Sequence, residues 1–236
     1  MFVNTTRRST APEIMDDFQM EGDILRDALD KIASINQLLG GNKVTLGGVK
    51  FLLREQPEQQ PVRITDIGCG NGDMLRALAD YAVKNGLNFI LNGIDANQFT
   101  VDHARSLSSG YEHISYECAD VFDQQTQLQN CDIVLCTLTL HHFSDEEIIA
   151  LLQRFREAAA LGFVVNDLQR SAVAYHLFQV LCFVFRLNYM SREDGLVSIL
   201  RGFKRADLLS YSKKLKLKNS LIRWKWAFRY QWIVKL

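Results

Sequence analysis

Ile64-Thr65-Asp66-Ile67-Gly68-Cys69-Gly70-Asn71-Gly72-Asp73 decides how the rest of this chain is read. A short run rich in isoleucine passes into three glycines at every second position, and Met74 then opens a helical stretch that reaches Lys84. Strand, glycine loop and helix in that order bring a ligand against bare backbone. Glycine tolerates positive φ and close approach, and the first turn of a helix offers unpaired N–H groups. Two phosphate-binding readings fail on residue type. A dinucleotide fingerprint needs glycine where Asp73 stands, and the Gly-Lys-Ser/Thr of a P-loop is missing. The carboxylate of Asp73, together with Asp66, is a poor cradle for pyrophosphate. It suits a ligand that carries an amino group and a positive sulfur centre.

Outward from this loop, short β-rich runs alternate with helical segments. The runs are Val62–Ile67, Phe89–Ile94, Ile114–Cys118, Ile133–Leu138 and Phe163–Leu168. Between them the spacing predicts helices near Met74–Lys84 and Phe99–Ser106, a weak one near Gln125, and Asp145–Ala160, whose start is fixed by the capping box Ser144/Glu147. That rhythm means a parallel sheet covered on both faces. Leu221–Phe228 and Tyr230–Leu236 are too close for a crossover helix, so they form an antiparallel hairpin, its second arm beside the fifth strand. The expected fold is α/β: a Rossmann-like, doubly wound, seven-stranded, mostly parallel sheet with a C-terminal antiparallel hairpin and an α-helical lid.

Residues 1–60 read as the lid segment and 61–236 as the main domain, with a cap inserted at about 170–203. Met1 to about Pro12 reads as frayed, Gly22–Leu39 as an amphipathic helix stopped by Gly40-Gly41, Val44–Leu53 as a shorter one, and Gln56–Pro61 as a polar linker. Ser171–Leu187 is apolar on too many faces for a surface helix and is expected to be covered on several sides. Asn188–Phe203 reads as a polar connection and Arg205–Leu215 as a last helix.

The loop resembles the first motif of class I S-adenosylmethionine-dependent methyltransferases, an acidic residue followed by Gly-x-Gly-x-Gly, and the resemblance runs from about Val62 to the C-terminus. It implies a site for S-adenosylmethionine, with S-adenosylhomocysteine as product, at Asp66, Gly68, Cys69, Gly70 and Gly72. Asp95, in Gly93-Ile94-Asp95-Ala96, follows Gly70 by 25 positions. That is where a nucleotide-binding sheet places the acceptor for ribose hydroxyls, with Ala96 beside it. By the same resemblance Asp120 and Val121 contact the adenine, Thr137 and Leu138 lie over the cofactor, and the His141-His142 pair flanks the methyl-transfer region. The cap and the Asn166-Asp167-Leu168-x-Arg170-Ser171 stretch look like bacterial methyltransferases associated with polyketide and quinone-type aromatic products.

His141, nearest the strand end, is the candidate base for a phenol, with Asp167 as a second catalytic candidate. His142, Arg170, Tyr175 and Phe178 are the substrate-side candidates. No second cluster of His and carboxylates at ligand spacing accompanies the pair, so no metal is expected. The Asn/Asp-Pro-Pro-aromatic motif of amino-group methylation and the Pro-Cys pair of cytosine C5 enzymes are both absent. What remains fits O- or C-methylation of an apolar, aromatic small molecule rather than nucleic acid.

The chain has 236 residues, of which 27 are Lys or Arg and 27 Asp or Glu. The balance is uneven: residues 201–236 hold eleven basic residues against the single acid Asp207. This basic segment reads first as a solvated helix face with an exposed β-ribbon, and in the alternative as a surface for an acidic partner, on the flank of the sheet away from the cofactor mouth. Competing readings are an RNA or protein methyltransferase that uses the segment to hold its partner, and a cofactor-binding module without catalysis. Five cysteines without a CxxC point to reduced thiols in a cytoplasmic protein. Ala172–Phe185 is too short to span a bilayer, which needs ~20 residues.

Overall fold

Along β4 (Cys131–Thr137) successive side chains enter opposite cores: Val134 and Cys136 pack on one face of the sheet, Ile133 and Leu135 on the other. Neighbouring strands repeat the alternation. Phe163 and Val165 of β5 (Ala159–Leu168) face the first core and Val164 the second; in β7 (Arg229–Lys235), Trp232 and Val234 face the first and Ile233 the second. A sheet apolar on both faces must be covered on both. Helices α5 (Asp145–Ala158) and α8 (Arg205–Lys214) close the first face through Leu151, Phe155, Leu208 and Tyr211. Helices α2 (Gly41–Leu53), α3 (Asp73–Asn85) and α4 (Gln98–Leu107) close the second through Leu52, Leu75, Leu78 and Val101.

The computed structural model describes residues 3–54, 61–123, 126, 128 and 131–236. With β1 (Val62–Ile67), β2 (Phe89–Asp95), β3 (Ile114–Cys118) and β6 (Ser220–Lys225), the seven strands form one sheet in the order β3-β2-β1-β4-β5-β7-β6. Pairs β1–β2, β1–β4, β2–β3 and β4–β5 are parallel. Strand β7 is antiparallel to both β5 and β6, which places the second arm of the hairpin inside the sheet as expected. The strand order reverses between β1 and β4, and ligands of open α/β sheets bind beyond the carboxyl ends at that point. The expected weak helix near Gln125 and, apart from Pro61, the expected linker lie outside the described residues.

The lid departs from the sequence reading in three places. The expected polar connection is a helix, α7 (Tyr189–Arg201), whose buried side is largely polar: Ser191, Asp194, Ser198 and Arg201 accompany Met190 and Ile199. A polar face at helical spacing carries no hydrophobic signal. Its partner is the N-terminal segment, which is not frayed around Arg8. Ser9 donates to the Leu200 carbonyl, and the Ile14 and Met15 amides donate to the Asp194 carboxylate at 2.6 and 3.0 Å. Helix α6 (Ala172–Val184) buries only Ala174 and Cys182 and leaves Phe183 86% exposed, so it is not covered on several sides. Helix α1 (Asp23–Leu38) packs Leu25, Ala28 and Leu29 against Met190 of α7 in a small core of their own.

Candidate active site

A cavity of about 860 Å³ opens at the carboxyl ends of β1, β2 and β4 under α1 and α6. Asp66, Ile67, Gly68, Cys69 and Gly70 form its floor, Asp95, Ala96, Asp120 and Val121 one side, and Thr137, Leu138, His141 and His142 the other. The roof brings Leu29 and Ile32 from α1 and Leu177, Phe178 and Leu181 from α6.

The glycine loop is held by the neighbouring strand: the amides of Gly68 and Cys69 both donate to the Ile94 carbonyl, at 2.8 and 3.1 Å. Gly68 has φ of +67°, and a Cβ on it would fall 2.3 Å from the Thr139 side chain, so that position is closed to any larger residue. Gly70 also has positive φ, but a Cβ there would meet nothing nearer than Leu29 at 3.9 Å. The space beside Gly70 belongs to the cavity. Leu138, at the end of β4, has φ of +55° without being glycine. Such backbone strain clusters at ligand sites.

Four carboxylates, of Asp66, Asp73, Asp95 and Asp120, line this end of the cavity. Burial, with the like charges of Asp73 and Asp95, pushes Asp66 up to about 8, and its Oδ1 has no hydrogen-bond partner. Burial also raises Asp95, although the Asn97 and Gly70 amides stabilise its ionised form. Asp120 is exposed and accepts from the Phe122 amide at 2.8 Å. At neutral pH the ligand-free Asp66 carboxyl therefore holds its proton, and a cationic group brought in from the cavity would favour its ionised form.

The opposite wall is built around His141. Its Nδ1 lies 2.7 Å from Asp167 Oδ1, and its amide donates to Asp167 Oδ2 at 3.1 Å, so Asp167 fixes both ring and backbone. Burial acts to raise Asp167, but the charge and hydrogen bond of His141 hold it below the usual carboxylate range. His141 Nε2 has no hydrogen-bond partner and faces Glu13 Oε1 at 3.6 Å. His142 stacks beside it, with ring centroids 4.4 Å apart, and its Nδ1 lies 2.6 Å from Asp16 Oδ1. Glu13 accepts from Ser198 Oγ at 2.6 Å, and burial pushes it up to about 7. Burial works against Asp16 too, yet the hydrogen bonds of His142 and Arg201 leave it well below its ordinary value.

The structure thus brings most of the sequence candidates to one cavity, with exceptions. Gly72 is not in the wall, since a Cβ there would strike the Tyr116 hydroxyl; the residue serves packing. Asp167 stands behind His141, not in the wall. Arg170 is not on the substrate side: its buried guanidinium donates to the carbonyls of Thr5 and Gly202 and to Asp207 Oδ2, tying the N-terminal segment to α8. Tyr175 also lies outside the lining, because α6 turns Ala174, Leu177, Phe178 and Leu181 inward.

Glu13, Asp16, Ser198 and Arg229 line the wall although the sequence reading assigns them no place in it, and Arg201 stands behind them, donating to Asp16 Oδ2 at 2.6 Å. The capping-box geometry at Glu13 and Asp16 is the one local signal that marks that segment as ordered. The hairpin is also not remote. Antiparallel pairing puts Arg229 opposite Leu168, so the turn Trp226–Phe228 reaches the cavity mouth.

Residues 64–162 match the family model described as a methyltransferase domain. No curated protein matches. Among solved structures, the plantazolicin methyltransferase BpumL in complex with SAH is similar over 90% of this chain and 93% of its own, at 13% identity and a TM-score of 0.64. The magnesium protoporphyrin IX methyltransferase ChlM of Synechocystis PCC 6803 with bound SAH is similar over 83% and 82%, at 16% identity and a TM-score of 0.55. The CurJ carbon methyltransferase is similar over 81% of this chain and 53% of its own, at 12% identity and a TM-score of 0.60. At such identities the likeness is one of fold. Residues 64–162 are thus similar to a methyltransferase domain, and the chain shares the fold of these methyltransferases.

Proposed function

We propose that the protein transfers a methyl group from S-adenosylmethionine to an oxygen or carbon of an apolar, aromatic small molecule. The observation that carries this reading is the continuity of the cavity from the unpartnered Asp66 carboxylate, past Gly70, to the His141–Asp167 pair. Both features fit the cofactor: an orphaned buried acid for its ammonium group, and open space at Gly70 for its body. Asp95 would take the ribose hydroxyls, and Asp120 with Val121 the adenine. When bound, the cofactor supplies a methyl carbon made electrophilic by its sulfonium.

The chain's own residues do the rest. The roof of Leu29, Ile32, Leu177, Phe178 and Leu181 covers an acceptor ring and excludes water, which holds the reactants in line. Asp167 accepts from His141 Nδ1–H, so Nε2 keeps its lone pair for the proton of an acceptor hydroxyl. The experiment is methyl incorporation from labelled cofactor into a panel of phenols and quinols against total RNA. Saturable labelling of phenols is expected. Labelling of RNA alone would overturn the acceptor class.

One observation favours a second reading, a polyanionic partner such as RNA. The hairpin that reaches the mouth carries Trp224 and Trp226, each half-exposed or more, interleaved with Arg223 and Lys225. Aromatic and basic side chains in alternation are the pattern of single-strand binding, and the same panel separates the two.

A further inference from the structure

We infer that Glu13, His141 and His142 form a binding site for a first-row divalent metal ion such as Zn²⁺. This inference goes beyond the methyl-transfer reading and does not rest on it. One ligand atom from each of the three residues lies within 4.8 Å of the others. Glu13 Oε1 stands 3.6 Å from His141 Nε2, and Glu13 Oε2 stands 3.8 Å from His142 Nε2. Ligands at Zn–N and Zn–O distances of ~2.0–2.2 Å, arranged tetrahedrally, are separated by roughly 3.3–3.6 Å. The two Glu13–imidazole distances already lie within a few tenths of an ångström of that separation, and the ligand atoms of the two imidazoles lie within 4.8 Å of each other.

Proton placement makes the arrangement informative. Asp167 Oδ1 lies 2.7 Å from His141 Nδ1, and Asp16 Oδ1 lies 2.6 Å from His142 Nδ1. An ionised carboxylate only accepts, so each Nδ1 carries a hydrogen, and in the neutral imidazole, the form that binds a metal, each Nε2 presents a lone pair. Two lone pairs therefore face a carboxylate, and His141 Nε2 and Glu13 Oε1, both buried, have no hydrogen-bond partner. Acceptors that oppose one another in a buried place take a cation between them, either a proton or a metal ion.

Arg201 does not fill that role. Its Nη1 is 3.6 Å from Glu13 Oε1 but 2.6 Å from Asp16 Oδ2, and its other nitrogens serve the main-chain oxygens of His141 and His142. Two imidazoles and one carboxylate are the donor set of zinc and non-haem iron sites with open positions. Carboxylates on the far ring nitrogens are the outer shell that such sites use.

All three ligands line the cavity, so the open positions would face the acceptor. An acceptor oxygen bound there would be acidified by the ion instead of by the imidazole, because one lone pair on His141 cannot serve both. The test is a titration of chelator-stripped full-length protein with Zn²⁺ against a chromogenic chelator, repeated with Co²⁺ for its visible absorption bands. The wild type is expected to bind one equivalent. Glu13→Gln and His142→Asn should each weaken binding at least tenfold, and Asp167→Asn, which touches no ion, by about tenfold or more.

His176→Ala, on the exposed face of α6, should change nothing. Because His142 is only partly buried, its variant keeps the inference testable if Glu13→Gln fails to fold. Binding of less than one equivalent, or equal affinity in the folded variants and the wild type, would overturn the inference. Affinity for S-adenosylhomocysteine, measured on the same stripped protein, reports separately on the cofactor site.

Discussion

Asp95 Oδ2 accepts a hydrogen bond from the Gly70 amide at 3.1 Å, and its Oδ1 accepts from the Asn97 amide, also at 3.1 Å. One carboxylate at the end of β2 thus joins the glycine loop to the start of α4 and presents itself to the cavity. Asp95→Ala should weaken binding of S-adenosylhomocysteine by on the order of 1–3 kcal/mol, the loss of a charge-assisted acceptor. Calorimetry checks this, and unchanged affinity would remove Asp95 from the site.

The two loop glycines should separate stability from binding. At both, alanine meets a left-handed backbone, but only at Gly68 does the added Cβ strike Thr139 at 2.3 Å. Gly68→Ala is expected to lower the melting temperature well below that of Gly70→Ala. Gly70→Ala should lose more cofactor affinity per degree of melting temperature, since its Cβ enters the cavity. Equal losses in both properties would show that Gly70 does not border the ligand.

Asp66 gives a pH signature. Its folded value of about 8 lies above that of an unfolded Asp, about 3.9, so the native protein holds an extra proton across that window. Stability of the ligand-free protein should therefore fall as pH rises towards 8 on this group's account. A bound ammonium favours the ionised carboxylate. Cofactor affinity should rise from pH 6 to 8 with release of protons, read by calorimetry in buffers of different ionisation enthalpy. Asp66→Asn should abolish the proton release and flatten the stability profile; a wild type that releases no protons would rule out the coupling.

The His141–Asp167 pair should act through orientation. Asp167→Asn keeps the shape but removes the acceptor that fixes the Nδ1–H tautomer, and a general-base contribution is typically worth ~100-fold or more. A fall in kcat of at least tenfold, with cofactor affinity unchanged and an altered pH profile, is expected on phenolic acceptors. A loss confined to melting temperature would reduce Asp167 to a structural part.

The lid should hold through Asp30. Its Oδ1 accepts from Asn71 Nδ2 at 3.0 Å and pairs with His103 Nε2 at 2.8 Å, fastening α1 over the glycine loop. Asp30→Ala is expected to raise the dissociation constant for S-adenosylhomocysteine by about fivefold, roughly 1 kcal/mol for a partly exposed pair of contacts. Stopped-flow rates should place the change in dissociation. An unchanged off-rate would argue that α1 does not close the site.

The succession of strands and helices along the chain and the antiparallel return of the last strand were legible in the sequence because each is written locally. Ile64–Asp73, Asp95 and Asp120 sit at strand ends, and hydrophobic alternation marks where those ends fall. Tertiary structure alone decided the other wall. Glu13 and Asp16 reach His141 and His142 across more than 120 positions, held by Asp194, Ser198 and Arg201 on the polar buried face of α7. Hydrogen-bonded polar contacts between distant segments leave no periodic trace, so α7 reads as a loop and its partner as a frayed end. Arg170 shows the converse: a charged residue at a strand end looks like a ligand contact until the fold supplies the carbonyls and the acid that consume its fork. A sequence specifies which groups each element offers, whereas only packing decides which of them are spent on one another and which are left facing the cavity.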